Sequence, residues 1–114
     1  MIYLASPYSH PDADVREHRY RQVVWHLANL ILEGEIVYCP MAHSHDAAQM
    51  ITDRIQHQAD VFSFEFWRAT DEAMMACCSE IRVLCLPGWE KSVGVAAEIE
   101  YMLQHDKPVE YVSP

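Results

Sequence analysis

A chain of 114 residues has room for one sizeable core and no second one. Hydrophobic residues make up 51% of it, which suits a folded globule, and eight Lys and Arg against seventeen Asp and Glu give a net charge of −9 with histidines neutral. That charge repels a phosphodiester backbone and no basic run offsets it, so nucleic acid is set aside as a partner; a small anionic ligand, which needs only a few local donors, is not.

Cys39, Cys77, Cys78 and Cys85 show no C-x-x-C spacing, and are read as reduced, buried thiols of a cytoplasmic protein. The start, Met1 to Pro7, lacks a basic region and its apolar run ends quickly. It predicts neither a signal peptide nor a membrane span, which takes about 20 apolar residues. With no repeat, linker or low-complexity tract, one domain is expected over residues 1–114.

In chain order, Ile2 to Ala5 is short, apolar and bounded by Ser6-Pro7, which predicts a buried first strand. Ser6 to Asp12 reads as a loop because Pro7 and Pro11 disfavour regular structure before them. From about Asp12 to Glu33, Val15, Tyr20, Val23, Val24, Leu27, Leu30 and Ile31 recur at helical spacing and Gly34 marks the stop. Trp25 is expected in the core of that helix, and Trp67 in the core of a later one. Glu35 to Cys39 predicts a second strand ended by Pro40, followed by a loop, Met41 to Asp46, and a weakly patterned helix from Ala47 to Gln58. Asp60 to Phe66 alternates like a strand yet runs into a helical pattern, and the helix is placed from Phe64 to Cys78, with Trp67, Thr70, Met74 and Cys77 on related faces. Ile81 to Leu86 is the third strand, Ser92 to Asp106 a helix, and Val109 to Val112 the last strand. Strands alternating with helices argue for a parallel sheet covered by helices through right-handed crossovers.

A polar set then collects on one rim, at the carboxyl ends of the strands, where α/β proteins bind ligands. Ser6, Tyr8, Ser9 and His10 follow the first strand, His43, His45 and Asp46 the second, and Ser92 and Glu98 the third; Asp71 precedes the third. Two carboxylates with hydroxyls and no metal motif suggest glycosidic bond cleavage, one carboxylate acting at the anomeric carbon while another group handles protons. Glu98 lies early in its helix among Gly94, Ala96 and Ala97, which leave room for a ligand; a helix start favours the ionised form a nucleophile needs. The ordinary alternative is a solvated helical glutamate. Cys39, His43 and His45 can be tested as metal ligands, but zinc sites show closer-matched pairs, and pocket-lining or solvated histidines are preferred. Ser6, Ser9, Ser92 and Arg16 suit a phosphate, or else ordinary capping and a surface arginine. Trp89 and Tyr8 can stack on a base or simply pack.

Ile2-Tyr3-Leu4-Ala5-Ser6-Pro7-Tyr8, Asp71, and Ser92-Val93-Gly94-Val95-Ala96-Ala97-Glu98-Ile99-Glu100-Tyr101 together resemble the nucleoside 2-deoxyribosyltransferase superfamily, which includes the deoxynucleoside 5′-monophosphate N-glycosidases. The resemblance spans nearly the whole chain and is sharpest in the first strand-loop and the Ser92 to Tyr101 segment. It implies an α/β, flavodoxin-like three-layer fold with a parallel sheet of four to five strands and helices on both faces. It also implies a glutamate nucleophile at Glu98, an aspartate handling the base at Asp71, Tyr8 bonding Glu98 or the sugar, and a serine contacting a 5′-phosphate at Ser92. The expected substrate site comprises Ser6, Ser9, His10, Arg16, His43, His45, Trp89, Ser92 and Gly94. No cofactor and no metal are called for. The expected partner is a small nucleotide or nucleoside, with hydrolysis of a nucleoside 5′-monophosphate favoured over transfer, in a cytoplasmic homo-oligomer, dimer or higher, with no membrane association. Glu100 stands where the family often has glycine and is expected to face away. Binding of a nucleotide or nucleotide-derived signal without turnover is the alternative.

Overall fold

Alternation of apolar strand and amphipathic helix gives an all-parallel four-stranded sheet, seen in a computed structural model that describes residues 1–55 and 61–114. The elements are β1 (Ile2–Ala5), α1 (Ala13–Leu32), β2 (Val37–Tyr38), α2 (Pro40–Ile55), α3 (Phe64–Cys77), β3 (Glu80–Leu84), a 3-10 turn (Trp89–Lys91), α4 (Val93–Gln104) and β4 (Val109–Val112). Strand order is β2-β1-β3-β4, compatible with a flavodoxin-like three-layer fold, and the chain reverses direction of winding between β1 and β3. That switch point opens a crevice at the strands' carboxyl ends.

β1 is buried along its whole length, as a central parallel strand must be. Its alternation divides two cores. Tyr3 and Ala5, paired in register with Ile81 and Val83, pack with Met75, Val95 and Met102 under α3 and α4. Leu4 and Leu84 pack on the other face with Val23 and Leu30 of α1 and Met41 of α2.

Helix ends follow their local chemistry. The Asp12 side chain caps α1 by accepting from Asp14 N–H at 2.8 Å. At its other end Gly34 (φ +89°) lets Gly34 N–H reach Ile31 C=O and Glu35 N–H reach Leu30 C=O, both at 3.0 Å, the paired closure a left-handed residue permits. Ser63 caps α3 and Ser92 caps α4.

Several expectations change. β2 is two residues rather than Glu35 to Cys39: only Val37 and Tyr38 pair with β1, and α2 already begins at Pro40. The expected loop Met41 to Asp46 is helical: Pro40, read as a stop for the strand, instead opens α2, a first-turn position where its missing N–H costs nothing. β3 spans Glu80–Leu84, not Ile81 to Leu86. Gln56, Gln58 and Asp60, expected in or near elements, lie outside the described residues. Trp25 is 73% exposed, not core, since α1 turns that face away from the sheet. On α3 it is Asp71 and Met75 that are buried, so the sheet-facing stripe runs one position beyond the one expected from Trp67, Thr70, Met74 and Cys77. Cys39 and Cys78 are buried, but Cys85 is half-buried and Cys77 exposed. No helix among the described residues is long and apolar enough to cross a membrane.

Gly34→Ala should cost about 1 kcal/mol, because an L side chain at φ +89° meets left-handed strain although nothing lies within 4 Å of its Cβ. Urea melts would check this; an unchanged midpoint would contradict the closure described.

Candidate active site

α4 carries its chemistry in its packing stripe. Val95, Glu98 and Met102 are its buried residues, and their helical spacing points all three at the sheet. Glu98 therefore replaces an apolar core residue and is only 3% exposed. It is met by Tyr3, whose position on the same face of β1 lets its hydroxyl donate to Glu98 Oε2. From α3, Asp71 is 6% exposed and reaches the same space. A cavity of about 400 Å³ opens over these acids. Ser6, Tyr8 and Ser9 line it after β1, Pro40, Met41 and Ser44 at the start of α2, Lys91, Ser92, Val93 and Gly94 after β3, and Phe62 to Glu65 and Trp67 around the start of α3.

Burial governs the electrostatics. It pushes the Asp71 carboxyl up to about 7. It pushes Glu98 up to about 8, opposed by the Tyr3 hydrogen bond and assisted by the Asp71 charge. Tyr3 itself is raised well above the usual phenol range by burial and then by Glu98. Glu98 is the sixth residue of α4, and burial there works against the ionised form that a helix start favours.

Ser6 is 3% exposed, lines the cavity, and its hydroxyl has no hydrogen-bond partner among the described residues. An orphaned buried hydroxyl is costly unless something else satisfies it. Ser92 Oγ accepts from Val95 N–H at 3.2 Å, so it caps the helix while lining the cavity. Gly94 allows close approach of α4 to α3, since a Cβ there would lie 3.3 Å from Phe64 Cβ.

Of the expected residues, Glu98, Asp71, Tyr8, Ser6, Ser9, Ser92 and Gly94 are brought together. His10 and Arg16 line a separate, adjoining cavity. His43, His45 and Trp89 do not line the main one. His43 sits edge-on to Trp67 at 6.2 Å and is exposed, and Trp89 packs on Tyr111 at 5.4 Å beside the core. His45 bonds Tyr8 Oη through Nδ1 at 2.7 Å and Glu17 through Nε2 at 2.9 Å, stacked on Tyr20. Tyr8 is thereby committed to His45, and it is Tyr3 that holds Glu98. Trp67, expected in the core, is a cavity wall whose indole N–H donates to Val61 C=O at 2.7 Å. Glu100 is exposed and accepts from Gln104 at 3.3 Å, facing away as expected. Lys91, Phe62, Phe64 and Met41 were not anticipated as site residues. Tyr3 was legible in principle, because strand alternation puts it on the face that the Val95, Glu98, Met102 stripe covers.

The fold and site define an α/β protein with two buried carboxyl groups at the β1/β3 crevice of a parallel sheet. The chain belongs to the family described as Domain of unknown function (DUF1937), whose model matches residues 1–113. Among curated proteins none matches the sequence.

Both acids bind protons more tightly folded than unfolded, so their contribution to stability is present in acid and is lost as pH rises through about 7 and about 8. Thermal melts between pH 5 and pH 9 should show that loss, and Glu98→Gln or Asp71→Asn should flatten it. An unaltered pH slope in both variants would contradict the burial described.

Proposed function

We propose that the protein cleaves the N-glycosidic bond of a nucleoside 5′-phosphate through Glu98, by hydrolysis in preference to transfer. The observation that carries the reading is the pair of buried carboxyl groups, Glu98 and Asp71, facing one cavity, with Glu98 held by Tyr3. Glycosidic cleavage asks for this division of labour: one carboxylate to attack and one acid to protonate. Glu98 would first give up its carboxyl proton to solvent, and the carboxylate oxygen would then bond the anomeric carbon as the carbon–nitrogen bond breaks. Asp71, kept protonated by burial up to about 7, would give its proton to the departing base. Tyr3 donates to Glu98 and so favours the carboxylate, and positive charge developing on the sugar favours it further. Water would then release the sugar from the glycosyl ester, regenerating Glu98. Phe62, Phe64, Trp67 and Met41 supply apolar walls for a base, and Lys91 with the unpartnered Ser6 hydroxyl supplies donors to the polar end. The resemblance to the nucleoside 2-deoxyribosyltransferase superfamily supports the same roles for Glu98, Asp71 and Ser92, and a cytoplasmic homo-oligomer is part of that reading.

Sequestration without turnover is the second reading, favoured by one observation: a carboxyl raised to about 8 can donate a hydrogen bond to a ligand instead of attacking it. Tight binding in calorimetry with no product by chromatography would select it.

Incubation with pooled nucleosides and nucleotides, with and without an acceptor base, read by mass spectrometry, should show base release by the wild type and none by Glu98→Ala or Glu98→Gln with the fold intact by circular dichroism. Full activity in either variant would sink the assignment. Tyr3→Phe should lower kcat by roughly 10–100-fold, the worth of a hydrogen bond to a charged group; an unchanged kcat would remove Tyr3 from the site.

A further inference from the structure

Eight basic side chains serve a chain with seventeen acids, and they are unevenly placed. Arg21, Arg68 and Arg82 stand in ion pairs with carboxylates. Among the described residues the other five stand in no ion pair: Arg54 lies in the last turn of α2, Lys107 donates to the carbonyls of Met75 and Ala76, and Arg16, Arg19 and Lys91 stand around the crevice. Arg19 is consumed structurally, donating to the carbonyls of Tyr8, Ser9 and Pro87. Arg16 and Lys91 face different spaces.

Lys91 lines the main cavity. Arg16 lines a second one of about 370 Å³ with His10, Pro11, Ser9, Phe62 and Ser63, of which the last three also line the first. The two cavities therefore meet at a common wall, where the Ser9 hydroxyl donates to Phe62 C=O. Arg16 is held in place there. Its guanidinium lies 4.3 Å from the centre of the Phe62 ring, and Nη1 donates to His10 C=O at 2.5 Å and Pro11 C=O at 3.3 Å. Nη1 is taken by carbonyls and the Tyr8 side chain also bonds the guanidinium, so an anion would be met by the N–H groups that remain. His10 Nδ1 accepts from Asp12 N–H at 3.0 Å, which places the neutral ring's proton on Nε2 as a further donor. Among the described residues no carboxylate lines this second cavity.

We infer that the ligand carries two phosphate groups, one met by Lys91 in the main cavity and the other by Arg16 and His10 in the adjoining one. The substrate class is then a nucleotide bearing two phosphates rather than a nucleoside 5′-monophosphate. This rests on the glycosidase reading and deepens it. A second phosphate on the 5′ chain and one elsewhere on the sugar share this chemistry.

Calorimetry on Glu98→Gln with one nucleoside, its 5′-monophosphate, its 5′-diphosphate and its 3′,5′-bisphosphate tests the inference, alongside base release from the same series by the wild type. At least one doubly phosphorylated member should bind about tenfold or more tighter than the monophosphate, the worth of one charge-assisted contact, and which member does so tells the two sources apart. Adding Arg16→Gln should bring that ratio close to one, whereas adding Lys91→Gln should weaken both ligands and keep it. Equal affinities for singly and doubly phosphorylated members, with the monophosphate cleaved, would overturn the second phosphate and leave the glycosidase reading standing. Neither binding nor cleavage of any member would overturn both.

Discussion

The hydrogen bond from Tyr3 to Glu98 is the contact on which the rest of the site depends. It joins the central strand to the helix that follows β3 and sets a carboxyl group where the packing pattern calls for an apolar residue. Desolvating a carboxylate is expensive, and here the group answers by holding its proton to a higher pH. The surrounding core tolerates this because Val95, Met102, Met75, Ile81 and Val83 are all buried about it, each contributing roughly 1.5–3 kcal/mol.

Placement of the remaining groups follows from topology. Because β1 and β3 are neighbours whose chains continue in opposite lateral directions, their following loops part and leave the crevice between them. Arg19 then ties those loops together, reaching from α1 to carbonyls after both strands. Gly88 belongs to this tie: at φ +92° a Cβ would lie 2.9 Å from Arg19 Nη2, so the glycine accepts both the backbone turn and the guanidinium beside it. A network of His45, Tyr8 and Glu17 fixes the outer part of the β1 loop in turn.

Much of this was legible in the sequence where one residue pattern had one physical outcome. Strand β1, the long α1 with its Gly34 closure, and β4 follow from apolar runs and helix signals alone. Glu98 and the serines were read from their place after strands on the ligand-binding rim, and Asp71 from the helix before β3. The misses share a cause. Pro40 carries two meanings, strand end and helix start, and only the tertiary position of α2 selects the second, which moved His43 and His45 from a loop over the cavity onto a helix beside it. Trp25 and Trp67 have the same local pattern, and only the orientation of α1 and α3 decides that one faces out and the other walls the site. Glu98 was placed by its nearness to a helix start, a field effect, whereas its state is set by depth in the core, a property that no single segment displays.

Trapping of the covalent intermediate addresses the central role of Glu98 most directly. An analogue with 2′-fluorine, whose electron withdrawal slows release of the sugar from its ester, would be incubated with the wild-type protein, and intact mass and peptide mapping would follow. The account predicts a mass increase of one glycosyl phosphate unit per chain, located on Glu98 and absent from Glu98→Gln. Release of the base with no adduct, or an adduct on another residue, would contradict it.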